Sequence, residues 1–251
     1  MKSPRVSGKG INLALQQAEN ILSIAKGYGS LAIVRGPVSH QLSEFSRDLW
    51  HGISQDPPRW LNLSIRLESK LIFDEALIHC AGGFPNYKWP TSLTELLPVA
   101  RSVVTKKAAR LSFLRSKTDI QLCTHVTIPE DESEEEIYGL LETKMLIYFY
   151  HEWLAAEIRR LERSVKYQHN DLYRIILKGG DAYLHPKDME ERMDAIASEW
   201  NDVLAEQLKA LKNHAFEIVL PITKNNLFIE ADNLPYLTCT EVVDADHPWL
   251  R

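Results

Sequence analysis

Histidines, cysteines and closely spaced glycines are the residues of this 251-residue chain that could support chemistry. Gly27 and Gly29 have the first gap of a dinucleotide-binding loop, but the third glycine is missing and a helical pattern precedes the pair. His151-Glu152 begins like the helix of a zinc protease, yet Ala155 stands where the second histidine ligand belongs. The glycines are therefore interpreted as the end of a helix, and His151 as a packed or solvated side chain.

A structural zinc site would need histidine and cysteine ligands that meet in space. His79 and Cys80 are adjacent on a predicted helix, so their side chains point about 100° apart. Cys123 and His125 offer one further pair, but the chain has no Cys-x-x-Cys motif. Buried cysteines more often pack as small hydrophobic side chains. The sequence therefore predicts no metal and no cofactor.

Hydroxyl and charged side chains identify no catalytic residue. A triad of Ser, His and Asp stays open, because its members meet in space and need not be neighbours in the chain. Glu134 and Glu135 lie in an acidic run, which is typical of a solvated helix. The basic residues from Lys106 to Lys117 could attract an acidic partner, although such a stripe is also typical of the wet face of an amphipathic helix.

Composition excludes several classes of protein. There are 29 Lys and Arg and 34 Asp and Glu, so the formal net charge of −5 argues against a general nucleic-acid binder. Three widely spaced cysteines favour a reducing, intracellular compartment. No stretch approaches the roughly 20 apolar residues that a membrane-spanning helix needs. The sequence therefore predicts a cytoplasmic or nuclear protein that binds neither membranes nor nucleic acid directly.

The elements that must position these residues are mainly amphipathic helices. Apolar residues recur at intervals of three and four, and glycine or proline interrupts the pattern between segments. Helices are predicted over residues 11–26, 38–53, 60–67, 70–81, 98–123, 131–164 and 187–212. The two long helices in the middle are expected to form an antiparallel hairpin.

The pattern changes after His214. Phe216–Pro221 and Leu227–Glu230 are short apolar segments, and Asn225-Asn226 between them is a turn signal. Residues 236–243 have the composition of an extended segment. The predicted fold class is therefore mainly α, a helical bundle with a long antiparallel helix hairpin and a short β or extended strap at the C-terminus.

Motifs in three parts of the chain point to one family. They are Ile24–Arg35; then Asp56-Pro57-Pro58-Arg59-Trp60-Leu61, Ile72-Phe73-x-Glu75-Ala76-x-Ile78-His79, Trp89-Pro90-Thr91 and Leu97-Pro98; and finally Leu237–Val242 with Pro248-Trp249. These segments resemble fungal BTB/POZ-domain proteins. The resemblance covers about residues 18–126 and 220–249. It implies that residues 1–55 correspond to the end of a BTB fold and residues 56–251 to a helical domain with a C-terminal strap.

BTB proteins are generally interaction modules that dimerise, recruit cullin ubiquitin ligases or sit on transcription regulators. The resemblance therefore implies a non-catalytic protein–protein interaction or regulatory protein. In the family, a strand-rich front half carries the dimerisation and cullin contacts, and it has no room before Ile11. The alternative is an enzyme of unrecognised type that acts on an apolar metabolite in a helical pocket, since such pockets need few polar groups.

A chain that begins part-way through a BTB-like fold leaves the apolar face of its first helix without the sheet that should cover it. Ile11, Leu15, Ile21 and Leu22 are therefore expected to form an exposed apolar patch. We identify these four residues as the candidate partner-binding site, in a homodimer or with a BTB-containing partner.

The double proline at residues 57–58 is interpreted as a structural hinge. Proline is tolerated in the first turn of a helix, where its missing N–H has no helical partner. Trp60 then follows within that turn and is predicted to be buried against the preceding helix. Arg59 beside it is expected to stay partly exposed or to pair with a carboxylate such as Asp48 or Glu75.

Overall fold

The computed structural model describes residues 9–126, 139–163, 169–196 and 200–250. These residues form ten α-helices and no strand, so the mainly α class is confirmed. The helices are α1 (Lys9–Gly27), α2 (Leu31–Ser43), α3 (Arg47–Gln55), α4 (Pro57–Leu67), α5 (Lys70–Gly83), α6 (Pro98–Thr124), α7 (Gly139–Arg163), α8 (His169–Lys178), α9 (Pro186–Asp194) and α10 (Asp202–Thr223). None of the helices in the described ranges has the length and apolar character needed to cross a bilayer.

The helix predicted over residues 38–53 is wrong in its bounds, because two helices lie here. α2 begins at Leu31, so Pro37 lies inside it, and α3 begins at Arg47. Ser46, between them, has a φ of 48°, a backbone conformation that no α-helix can continue through. The resulting bend turns α3 back toward α1, and the two helices pack together.

Residues 56–83 form two helices, as predicted, and the two helices pack against each other. Pro57 and Pro58 occupy the first two positions of α4. α4 ends at Leu67, since Glu68 takes a left-handed conformation with a φ of 56°. α5 then packs against both α4 and α3. Trp60 is fully buried, which confirms the prediction for this residue.

The chain divides into two compact units. Unit 1 comprises Met1–Leu111, Asn225–Leu234 and Thr238–Arg251, and unit 2 comprises Ser112–Lys224 and Pro235–Leu237. The division therefore falls inside α6. Both sides of the boundary predicted between residues 55 and 56 lie in unit 1.

In unit 2, α7, α8 and α10 pack against one another. The antiparallel hairpin predicted for α6 and α7 is not confirmed. The acidic start predicted for the second of these helices, residues 131–136, lies outside the described residues. The single helix predicted over residues 187–212 is wrong, because α9 ends at Asp194 and α10 begins at Asp202. α8 had no counterpart in the sequence prediction.

Phe216–Pro221, which was interpreted as a short apolar segment of a C-terminal β or extended strap, is helical instead. α10 continues to Thr223, because its buried residues keep the helical spacing of three and four through this segment. These buried apolar residues are Leu204, Leu208, Leu211, Ala215, Val219 and Ile222. Residues 225–250 contain no strand in the part of the chain that the structure describes, only two short 3-10 turns. We call residues 225–234 and 238–250, which belong to unit 1, the C-terminal segment.

Candidate functional site

The predicted patch on α1 is buried at three of its four positions. Ile11, Leu15 and Leu22 are at most 2% exposed, so the expectation that they lie uncovered is wrong. α2, α3 and α4 pack against α1 and take the place that the sequence analysis assigned to a missing sheet. Ile11 lies so close to Gly52 of α3 that a methyl group at Gly52 would come within 2.9 Å of its side chain. Ile21 remains 41% exposed.

The outer side of this region carries other large apolar side chains. Leu13, Ile21, Ile24, Tyr28 and Ile33 are between 41% and 84% exposed, and we call them the N-terminal apolar surface. The spacing of apolar residues identified the buried face of α1 correctly. Ile21, Ile24 and Tyr28 on the outer side also follow one another at intervals of three and four, but only Ile21 was included in the sequence prediction, where it was assigned to the inner face.

A groove of about 280 Å³ lies between α1 and α2. Ala14 and Ile21 line it from α1, Val38 and Leu42 line it from α2, and Phe45 lines it as well. Ile21 therefore belongs both to the N-terminal apolar surface and to this groove. Of the four predicted residues, Ile21 is therefore the one that is exposed beside this groove.

A second group of polar residues is buried on α5. Glu75 and His79 are four residues apart, so they share one face of the helix, and they are 1% and 0% exposed. His79 Nε2 lies 3.9 Å from Glu75 Oε1. Burial raises the pKa of Glu75 to about 7 and lowers the pKa of His79 to about 3. This acid can therefore exchange a proton near neutral pH, while the imidazole stays neutral.

The C-terminal segment covers this part of unit 1. The N–H of Phe228 donates to Glu75 Oε2 at 3.0 Å. The Phe228 ring stacks on Trp50 of α3, with the ring centroids 4.6 Å apart. Further along, Trp249 meets the buried Phe73 edge to face at 5.3 Å. Aromatic anchors at both ends thus hold an otherwise irregular segment on α3 and α5.

Ion pairs fix the same segment between these anchors. Lys107 of α6 binds Asp246 with an Nζ–Oδ2 distance of 2.5 Å, and both side chains are at most 7% exposed. Lys107 also donates to the carbonyl oxygen of Glu241 at 2.7 Å. Burial opposes ionisation of Asp246, but hydrogen bonds from Lys107 and from the Val243 N–H outweigh it, so the pKa of Asp246 lies below its ordinary value.

His247 joins the C-terminal segment to α5. Its Nε2 lies 2.8 Å from Asp74 Oδ1, and its ring lies 5.1 Å from the Phe73 ring. Sequence analysis missed these partners, because Lys107 and Asp74 lie far from residues 238–250 in the chain. The only sequence signal was the tryptophan in a polar tail.

Arg59 has a different partner from the two that were predicted. Its Nε donates to Glu19 Oε1 at 2.9 Å and its Nη2 to Glu19 Oε2 at 2.6 Å, a bidentate pair between α4 and α1. Arg59 therefore stays partly exposed and pairs with a carboxylate, as predicted. The two carboxylates named as examples, Asp48 and Glu75, are wrong, because α1 packs on the face of α4 that carries Arg59. Glu75 instead points toward the C-terminal segment.

The residues considered for metal binding come to no common site in the described ranges, where no group of three His, Cys, Asp or Glu side chains is placed to hold an ion. Cys80 is buried and Cys123 is exposed. Comparison of the chain with protein-family models, with curated proteins and with solved structures finds no match. The case for a function therefore depends on the surfaces and buried groups described above and on the motifs in the sequence.

Proposed function

We propose that the chain is a non-catalytic, BTB-related protein–protein interaction or regulatory protein that acts in transcription regulation or as a ubiquitin-ligase adaptor. The N-terminal apolar surface is the observation that carries this proposal. Five large apolar side chains are exposed within residues 13–33. Clustered exposed apolar residues mark interaction surfaces, and aromatic residues such as Tyr28 are enriched at the centres of interfaces.

The proposal includes the finer features that the resemblance implies. Residues 1–55 would correspond to the end of a BTB fold, α6 and α7 would form a long antiparallel hairpin, and the C-terminus would form a strap. The partner is a second copy of the chain or a BTB-containing protein, in the cytoplasm or nucleus. Ile21 and its exposed neighbours bind this partner, while Ile11, Leu15 and Leu22 support them from the core.

Charged substitutions on the N-terminal apolar surface test this proposal. We expect the double variant Ile24→Glu with Ile33→Glu to weaken association at least tenfold, because two buried carboxylates at an interface must be desolvated. Light scattering of the pure protein at tens of micromolar measures self-association, and pull-down from native lysate measures binding of another protein.

Val203→Glu is the matched control, since Val203 is 61% exposed on α10 in unit 2. It introduces one exposed carboxylate in the other unit, on a residue outside the N-terminal apolar surface, and should leave association unchanged. A chain that is strictly monomeric and captures no reproducible partner would contradict the proposal. Equal effects of the control and the double variant would place the interface elsewhere.

The alternative function, an enzyme acting on an apolar metabolite, has one observation in its favour. Glu75 and His79 are buried titratable residues with shifted pKa values, which are features of active sites. The groove between α1 and α2 is not lined by either of them. The interaction proposal is therefore better supported, because its residues and its groove coincide at Ile21.

A further inference from the structure

A buried carboxylate lies beneath the C-terminal segment without a positively charged partner. Among the described residues, the one hydrogen-bond donor facing Glu75 is the N–H of Phe228, which lies 3.0 Å from Oε2 and 3.3 Å from Oε1. The imidazole of His79 is also fully buried, and its Nε2 lies 3.9 Å from Glu75 Oε1. An ionised carboxylate in such surroundings is costly, because one neutral donor replaces a complete hydration shell.

The other charged groups on the surrounding elements are engaged elsewhere or face solvent. On α5, Asp74 bonds to His247 and Lys70 to Asp244. The remaining pairs around α5 are Lys107 with Asp246 and Arg59 with Glu19. The other titratable side chains on the packed elements are exposed or half-buried: Arg47, Asp48 and His51 of α3, Asp56 and Glu68 at the two ends of α4, Arg66 of α4, and Glu230, Asp232 and Glu241 of the C-terminal segment. Asp56 accepts hydrogen bonds from Thr91, and Glu68 pairs with Arg35. Cys239 of the C-terminal segment is a buried cysteine. Cys80, also on α5, is a buried thiol.

We propose that Glu75 couples the docking of residues 225–234 on α5 to the binding of one proton. The neutral acid fits the covered site, since it needs no hydration shell and its carbonyl oxygen still accepts from the Phe228 N–H. The ionised acid gains water when residues 225–234 lift from α5. Proton release therefore favours the open arrangement, and proton uptake favours the docked one.

The sign and size of the coupling follow from the two states of Glu75. Its pKa is about 7 when the segment covers it, against an ordinary value of 4.5 when water reaches it. The docked state therefore binds the extra proton between these values, and the opening equilibrium rises about tenfold per pH unit across that window. The total rise is about 300-fold, and the equilibrium becomes constant above pH 7.

Protonation of His79 has the opposite effect on the opening equilibrium, so the contributions of Glu75 and His79 can be separated. Burial lowers the pKa of His79 from 6.5 to about 3, so an opening that hydrates the imidazole becomes more favourable as the pH falls below 6.5. If one opening hydrates both side chains, their effects oppose each other between pH 4.5 and 6.5. The contribution of Glu75 is then the difference between the wild-type chain and a variant that lacks its carboxyl group.

Hydrogen exchange of the Phe228 amide tests the proposal directly, because this amide is the donor to Glu75. Protection factors corrected for intrinsic exchange are measured by NMR from pH 5 to pH 8 in the wild type and in Glu75→Gln. Glutamine keeps the acceptor oxygen and does not titrate. We expect the wild type to lose protection relative to Glu75→Gln by a factor on the order of 100 between these pH values.

Glu230→Gln is the matched control, because it removes an exposed carboxylate from the same segment. It should reproduce the wild-type pH dependence. Equal pH dependence in the wild type and Glu75→Gln would overturn the proposal. A parallel change at the amide of Leu77, inside α5, would also overturn it, because the opening would then be global unfolding.

A second measurement keeps the test decisive if Glu75→Gln fails to fold. The carboxyl carbon of Glu75 is titrated by ¹³C NMR in the intact chain. A Glu75 midpoint near pH 7 that coincides with the midpoint of the pH-dependent change in the Phe228 amide signal supports the coupling. A midpoint near the ordinary value of 4.5 shows that Glu75 is already hydrated in the docked state and overturns it.

Discussion

Replacing Trp60 by alanine is expected to lower the free energy of unfolding by about 3–5 kcal/mol. The Trp60 side chain is fully buried at the start of α4. Its ring packs beside Gly52 of α3, where an added methyl group would lie 3.6 Å from Cζ2. The double proline at 57–58 fixes the direction in which the chain enters α4, and the surrounding helices relax only partly around such a cavity. Urea unfolding followed by circular dichroism measures the loss.

Trp60→Phe is the matched control for the loss of Trp60. The Nε1 of Trp60 is buried with no hydrogen-bond partner among the described residues, so phenylalanine loses no hydrogen bond. Trp60→Phe should therefore lower the free energy of unfolding clearly less than Trp60→Ala, because phenylalanine leaves a smaller cavity. If Trp60→Ala left the melting temperature unchanged but abolished partner binding, the hinge interpretation would be wrong and the motif would be a contact surface.

The helical part of the fold could be predicted because its signal is local. In α1, residues at intervals of three and four are buried, and the period alone identifies the inward face. The period does not say what covers that face. Ile11 and Leu15 were therefore assigned to a partner, whereas α2, α3 and α4 of the same chain cover them.

The wrongly predicted helix ends have a similar physical reason, since they also depend on packing that the local sequence does not show. Ser46, which separates α2 from α3, has a positive φ, although it is neither a glycine nor an asparagine and so gives no sequence signal for this conformation. The helix that became α10 was predicted to end at Lys212, before a short apolar segment, but its buried residues keep the helical spacing to Thr223. Packing overrides local preference in both places.

The buried polar groups could not be predicted from the sequence. The spacing of Glu75 and His79 places them on one helical face, but an acid in an amphipathic helix usually faces water. Its burial depends on Phe228, which is far away in the chain. The same holds for Lys107, which lies in a basic stripe that was interpreted as solvated and is instead at most 7% exposed beside Asp246.

The ion pair between Lys107 and Asp246 gives the second large expected effect. Lys107→Met is expected to lower the free energy of unfolding by about 3–5 kcal/mol at pH 7. Methionine fills the volume of the lysine stem but leaves Asp246 as a buried charge. The Val243 N–H remains its donor, at 2.8 Å from Oδ2. Urea unfolding monitored by circular dichroism measures the change. Lys106→Met, the same substitution at the exposed neighbouring position, should cost little.

The pH dependence of Lys107→Met identifies the cause of the loss. In the wild type, Lys107 and the Val243 N–H hold the pKa of Asp246 below its ordinary value of 3.8, so this contribution to stability is present above 3.8 and is lost as the pH falls through the lowered pKa. In Lys107→Met, protonation of Asp246 removes the buried charge. The deficit should therefore shrink as the pH approaches 3, and Lys107→Met combined with Asp246→Asn should recover much of the loss at pH 7. A deficit that is independent of pH would instead indicate that Lys107 acts through the packing of its aliphatic stem and its bond to the Glu241 carbonyl.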